Sequence, residues 1–193
     1  MMIVLIKYNG GNVSSVQNAL ARLGIGSIIT DDPELILKAD KVIFPGVGEA
    51  SSTMKVLKEK GVDTLIPSLK QPVLGICLGM QLMCGDNEEG NTKGMGIFDV
   101  DVKQFPPENL VPHMGWNTIS GLESPLFSGI EENSDVYFVH SYYCGQSAST
   151  AAVCDYILPF SASLQKDNFF AVQFHPEKSG LTGSRILKNF IKL

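Results

Sequence analysis

The chain has 193 residues, 44% of them hydrophobic and 18% charged, and carries a net charge of −5. That length suits a single domain over 1–193 with a substantial core, and the acidic balance argues against non-specific nucleic-acid binding. No apolar run approaches the roughly 20 residues of a membrane span, and four cysteines without a CxxC pair, beside three histidines, support neither a disulfide framework nor a metal site.

The opening run "MIVLI" (2–6) reads as a buried strand ended by the turn cluster "YNGGN". It carries no basic leader and is too short for a signal peptide, so a reducing, cytoplasmic setting is the expectation. Asn12 is a plausible N-cap for a helix whose Val13, Val16, Leu20 and Leu23 recur at helical spacing before Gly24 stops it. "GSIIT" (26–30) is a short strand, and Pro33 opens a short helix. "KVIF" (41–44) is the third strand, broken by "PGVG". Residues 49–60 form a helix with Ala50, Met54 and Leu57 on one face and Gly61 at its end. "PVLGI" (72–76) is the fourth strand, with a helix after Cys77.

Strands and helices thus alternate four times, which predicts parallel strands with helices on both faces and right-handed crossovers. After residue 90 the pattern changes. "GIFDVDVKQF", "VYFVHSYY", "AAVCDYI", "SASLQ" and "NFFAVQF" read as strands without long helices between them, so an antiparallel extension or side sheet is expected. A terminal helix presents Ile186, Leu187, Phe190 and Ile191 as its apolar face.

Chemistry concentrates at "GICLGMQ" (75–81). Cys77 sits where a strand turns into a helix at the carboxyl edge of the predicted sheet, the place where open α/β sheets bind ligands. Gly75 and Gly79 at positions −2 and +2 relieve the crowding of a sharp turn, as in a nucleophile elbow. A helix N-terminus also favours a thiolate. The competing reading is a buried structural cysteine, and this reading is kept for Cys84, Cys144 and Cys154. In "FFAVQFHPE" (169–177), extended backbone projects His175 and Glu177 to the same side, where the carboxylate fixes the imidazole tautomer. Taken singly, each of these two would read as a surface group. With the cysteine they form a candidate triad in the order Cys, His, Glu. "FPGVG" (44–48) ends another strand at the same edge. The N–H of Leu78, with that of Val47 or Gly48, supplies candidate oxyanion donors. A phosphate loop is disfavoured because the Lys-Ser/Thr ending is missing.

These residues resemble the class I (triad) glutamine amidotransferases. "FPGVGEA", "VPHMGWN", "YFVHSYY" and "HPEKSG" place the resemblance in the branch of glutaminase subunits of imidazole glycerol phosphate synthase, from "KYNGGN" to "HPEKSG". The resemblance implies a flavodoxin-like doubly wound core. Cys77 would be the nucleophile, His175 the acid and base and Glu177 its orienter. The reaction it implies is hydrolysis of glutamine through a γ-glutamyl thioester, with no metal or other cofactor. The implied partner is a (βα)8-barrel cyclase subunit. It would use the ammonia to make imidazole glycerol phosphate and an aminoimidazole carboxamide ribotide (AICAR) in histidine biosynthesis. Gly46, Gln81, Ser141 and Tyr142 occupy glutamine-binding places, and Val47 that of an oxyanion donor which turns when the partner is engaged. Trp116, Tyr137 and Lys178 match positions near the subunit interface, against the plainer readings of core aromatic, strand residue and solvated charge. His113 and His140 are read as structural. Three alternatives stand beside this reading: a glutaminase feeding another synthase such as one for surface-sugar amidation, a non-catalytic binding subunit, and a redox or stress protein with a cysteine elbow.

Overall fold

The computed structural model describes residues 1–8 and 13–193. The predicted N-cap Asn12 and most of "YNGGN" lie outside the described residues. In chain order the elements are β1 (Ile3–Ile6), α1 (Val13–Arg22), β2 (Ile28–Thr30), α2 (Pro33–Lys38), β3 (Lys41–Gly46), α3 (Ala50–Glu59), α4 (Val62–Ser68), β4 (Val73–Cys77) and α5 (Leu78–Leu82). There follow β5 (Asp86–Asn87), β6 (Thr92–Lys93), β7 (Val102–Gln104), β8 (His113–Ile119), β9 (Ser134–His140), β10 (Tyr142–Cys144), β11 (Thr150–Asp155), β12 (Pro159–Lys166), β13 (Phe169–Val172) and α6 (Gly180–Lys192).

The main sheet has seven strands in the order β11-β12-β13-β4-β3-β1-β2. The run β2-β1-β3-β4-β13 is parallel throughout, which is the flavodoxin-like doubly wound arrangement. Its strands read as apolar runs because both faces are covered. Ile3 and Leu5 pack with Val16 and Leu20 of α1 and with Ile186 and Phe190 of α6. Val4 and Ile6 point the other way, into a second cluster with Ile36 of α2, Met54 and Leu57 of α3, and Ile66 of α4.

β12 pairs antiparallel with both β11 and β13, and forms the predicted antiparallel extension. Two side sheets accompany it, β10-β7-β5-β6 and the hairpin-like pair β8-β9. Several expectations are corrected. "NFFAVQF" is parallel to β4, because it completes the core and does not extend it. The helix of 49–60 stops at Glu59 and a further helix, α4, follows Gly61, which takes the left-handed conformation between them. "GIFDVDVKQF" is a strand only over Val102–Gln104. "VYFVHSYY" breaks at Ser141, where the chain leaves β9 in one sheet and enters β10 in another. Among the described residues, no helix is long and apolar enough to cross a membrane.

Candidate active site

β3 and β4 run side by side to their ends, where Gly46 lies opposite Cys77. The chain then turns into α5 so sharply that Cys77 adopts φ 54° and ψ −112°, a backbone state L-residues rarely take. Close approach makes the turn feasible. A Cβ on Gly79 would run into the Phe44 carbonyl oxygen, and one on Gly46 would sit 2.7 Å from Leu78 Cβ. Cys77 stays 7% exposed and faces a cavity of about 350 Å³.

Val47, Gly48, Leu78, Gln81, Ser141, Tyr142 and His175 line that cavity with the cysteine. Gly46 does not. It is buried beneath, packed on the start of α5. His175 follows β13 and is 1% exposed. Its Nδ1 lies 2.8 Å from Glu177 Oε1. The two side chains meet because Pro176 opens a single 3-10 turn over Pro176–Lys178, not because the strand stays extended as the sequence reading assumed. Burial opposes a charge on His175, but Cys77 on one side and Glu177 on the other outweigh it and raise its pKa to about 10. Nε2, the ring nitrogen left over, is buried and lies within the influence of Cys77 without meeting hydrogen-bond geometry.

Beneath the 44–48 loop lies Tyr8, whose hydroxyl donates to Pro45 O at 2.8 Å. Burial raises the Tyr8 pKa, and the nearby Val47 backbone amide offsets part of the rise.

The remaining predicted residues fall into two groups. Gln81 is 4% exposed, and its Nε2 donates to Tyr142 O (3.0 Å) and to Gln173 Oε1 (2.9 Å). Trp116, Tyr137 and Lys178 gather away from the cavity. Trp116 and Tyr137 meet edge to face at 6.0 Å, and Lys178 Nζ lies 5.7 Å from the Tyr137 ring centre. Trp116 is 58% exposed, which excludes the core reading. Backbone from this cluster reaches the site, since His175 N donates to Tyr137 O at 2.9 Å.

Three participants escaped the sequence reading. Gln173 is fully buried, and its Nε2 donates to Cys77 Sγ at 3.6 Å. A polar side chain inside the apolar run "FFAVQF" was the available signal, because buried amides need partners. Glu89 brings a half-buried carboxylate to the cavity, its pKa raised by burial. His140 lines the cavity as well and is bonded to His113.

Comparison with known proteins places the chain in a family. The family model described as "Glutamine amidotransferase class-I" matches residues 4–193. The protein "Imidazole glycerol phosphate synthase subunit HisH" of Bacteroides fragilis (strain YCH46) is 62% identical over 196 aligned positions, covering 100% of both chains. The protein of that name from Escherichia coli (strain K12) is 44% identical at the same coverage. In fold, the solved structure of PurLQS from Thermotoga maritima superposes with a TM-score of 0.75 at 15% identity, covering 99% of this chain and 97% of that one. The family match and these full-length relatives show that the chain belongs to the class-I glutamine amidotransferase family, in its imidazole glycerol phosphate synthase HisH branch.

Proposed function

We propose that the chain, as one glutaminase domain over 1–193, is the glutamine-hydrolysing subunit of an imidazole glycerol phosphate synthase in histidine biosynthesis, with Cys77, His175 and Glu177 as its catalytic residues. The observation that carries the catalytic assignment is an elbow cysteine and an imidazole lining one cavity, with the Glu177 carboxylate buried against the imidazole's Nδ1. Full-length relatives bearing that synthase name support the pathway.

Glutamine enters with its side-chain amide at Cys77. Its α-ammonium pairs with Glu89, the carboxylate among the described residues lining the cavity, and Gln81, Ser141 and Tyr142 hold the amino-acid end. Cys77 Sγ attacks the amide carbon, forming a C–S bond and a tetrahedral oxyanion. Leu78 N–H receives that charge, joined by the N–H of Val47 or Gly48 once the loop turns one of them toward it. The C–N bond breaks as His175 gives its proton to the leaving nitrogen, and ammonia departs. His175, now neutral, takes a proton from water, whose oxygen attacks the γ-glutamyl thioester. Glutamate leaves and the sulfur regains its starting state. Glu177 holds the ring by Nδ1 and supports its positive charge.

The ammonia passes to a (βα)8-barrel cyclase subunit, which makes imidazole glycerol phosphate and AICAR in the cytoplasm. Trp116, Tyr137 and Lys178 face that partner. Cys77→Ala tests the reading in the reconstituted complex. Glutamine-dependent synthesis is expected to vanish while synthesis from added ammonia persists. Hydrolysis near the wild-type rate in a pure preparation would overturn the assignment.

A further inference from the structure

The two histidines outside the triad are buried, 3% exposed at His113 and 6% at His140, and they face each other across β8 and β9. Their hydrogen bonds permit a single arrangement of protons. His140 Nδ1 lies 2.7 Å from Tyr142 O, and a carbonyl only accepts, so Nδ1 carries the proton. His140 Nε2 must then accept from His113 Nδ1 at 3.0 Å. That leaves His113 Nε2 as an acceptor for Asn117 Nδ2 at 3.2 Å. The far end agrees independently. Asn117 Nδ2 also donates to Asp155 O (3.1 Å) and its Oδ1 accepts from Thr118 N (2.8 Å), which fixes the amide's orientation. Every donor points the same way, from Asn117 through both rings to Tyr142 O.

Tyr142 O accepts a second bond from Gln81, which holds Gln173, which donates to the Cys77 sulfur. The rings are fixed sideways too. His113 is stacked between Tyr156 (4.0 Å) and Phe138 (4.7 Å), and His140 packs on Phe105 and Phe160. We propose that His113 and His140 are positioning residues for glutamine: a buried, neutral, one-directional chain that fixes the Ser141–Tyr142 wall and, through Gln81 and Gln173, the setting of the nucleophile. The backbone needs such a brace here, because Ser141 is where the chain crosses between two sheets. Burial lowers both pKa values, to about 4 at His113 and about 3 at His140, in keeping with neutral rings. Among the titratable neighbours, His175 acts on His140, and Tyr143 and Tyr156 adjoin the aromatic cluster.

The role in glutamine binding rests on the function proposed above, so the test has two independent parts. In the full-length chain labelled with 15N-histidine, both rings should appear as neutral Nδ1–H tautomers, unchanged between pH 5.5 and 8. An Nε2–H tautomer, or titration near pH 6.5, overturns the chain whatever the enzyme does. In the complex with the synthase subunit, His113→Phe keeps the stacking and deletes the bonds. KM for glutamine should rise about tenfold, with kcat within about threefold, since of the two bonds deleted only the one to His140 leads to the Tyr142 wall. His113→Gln, which restores a donor, should recover most of that loss. The Ser141 and Tyr142 amide signals should shift in His113→Phe even if glutamine proves not to be the substrate. Unmoved signals, or an unmoved KM in folded protein, overturn the proposal; a wild-type complex that fails to hydrolyse glutamine would instead overturn the functional reading.

Discussion

The cysteine cavity has two walls built on different principles. One, formed by the 44–48 loop and the start of α5, is backbone against backbone. Gly46 and Gly79 let β3 and α5 touch, with one side-chain bond beneath them, from the Tyr8 hydroxyl to Pro45 O. The other, residues 139–142, is an irregular crossing between sheets held by Gln81, His140, His113 and Asn117. Close packing tolerates almost no adjustment, because a displaced backbone has nowhere to go. A hydrogen-bonded brace can lose one member and sag. The backbone of the nucleophile hangs from the rigid wall, while its sulfur meets the braced side through Gln173 Nε2 and Val139 O. The general acid–base is tied to the braced side, where His175 N donates to Tyr137 O on β9.

The largest effect expected comes from cutting the chemistry where the two walls meet. His175→Ala removes the proton shuttle and should lower glutamine turnover by roughly 10²–10⁴-fold. It should leave the elbow intact, since the Cys77 backbone is held by the other wall. Glu177→Gln should be milder, because a glutamine still bonds Nδ1 but no longer supports the ring's charge. Steady-state kinetics of both variants with the partner present check the order. A reversed order would mean that the two roles are exchanged.

Gly79→Ala should come next and should separate the walls most directly. Its new methyl meets the Phe44 carbonyl, so strand and helix must part. Overpacking of this kind costs about 2–3 kcal/mol, read by urea denaturation. Because the nucleophile moves with α5, turnover should fall about 10²-fold for a shift near 1 Å. A Gly79→Ala protein as stable and active as the wild type would show the elbow to be soft and the contrast between walls unfounded.

The rigid wall was legible in the sequence and the braced wall largely was not. Apolar runs ended by glycine turns gave the parallel core, and the spacing Gly75, Cys77, Gly79 gave the elbow, because each is a local pattern. His175 and Glu177 were legible for the same reason, though a 3-10 turn and not a strand brings them together. α4 was missed because Gly61 reads as a stop and Pro67 as a breaker. The brace joins residues 61 and 92 apart in the chain at Gln81, and 27 apart at the two histidines. No window on one sequence contains both ends of such a bond. Trp116, Tyr137 and Lys178 were recognised only through family resemblance, and their convergence on one cluster is a tertiary fact.

The effect expected to touch turnover least is one that the braced wall alone should produce, an acid limb of stability belonging to its histidines. In the unfolded chain a histidine binds its proton near pH 6.5. In the folded chain burial holds His113 near 4 and His140 near 3. As pH falls below 6.5 the unfolded state therefore gains protons that the native state refuses, and stability is lost. The loss should continue until the folded values are reached, at up to about 1.4 kcal/mol per pH unit for each ring. Among the carboxylates Glu89, raised by burial, has the opposite sign and is relieved as pH falls, so it offsets part of the histidine loss without differing between the two proteins compared. Glu49, held down to about 2 by bonds from Ser51 and Ser52, begins to destabilise only below its ordinary value of 4.5. His175 has the opposite sign. Its pKa is raised to about 10, so its contribution is present below 6.5 and disappears on the alkaline side, as pH rises through 10. Urea midpoints measured between pH 7 and 5 should thus fall in the wild type, and the fall should be roughly halved in His113→Phe. An equal slope in both proteins would mean that the ring at 113 takes up its proton in the folded state, and the braced wall would then be no more polar in its energetics than the packed one.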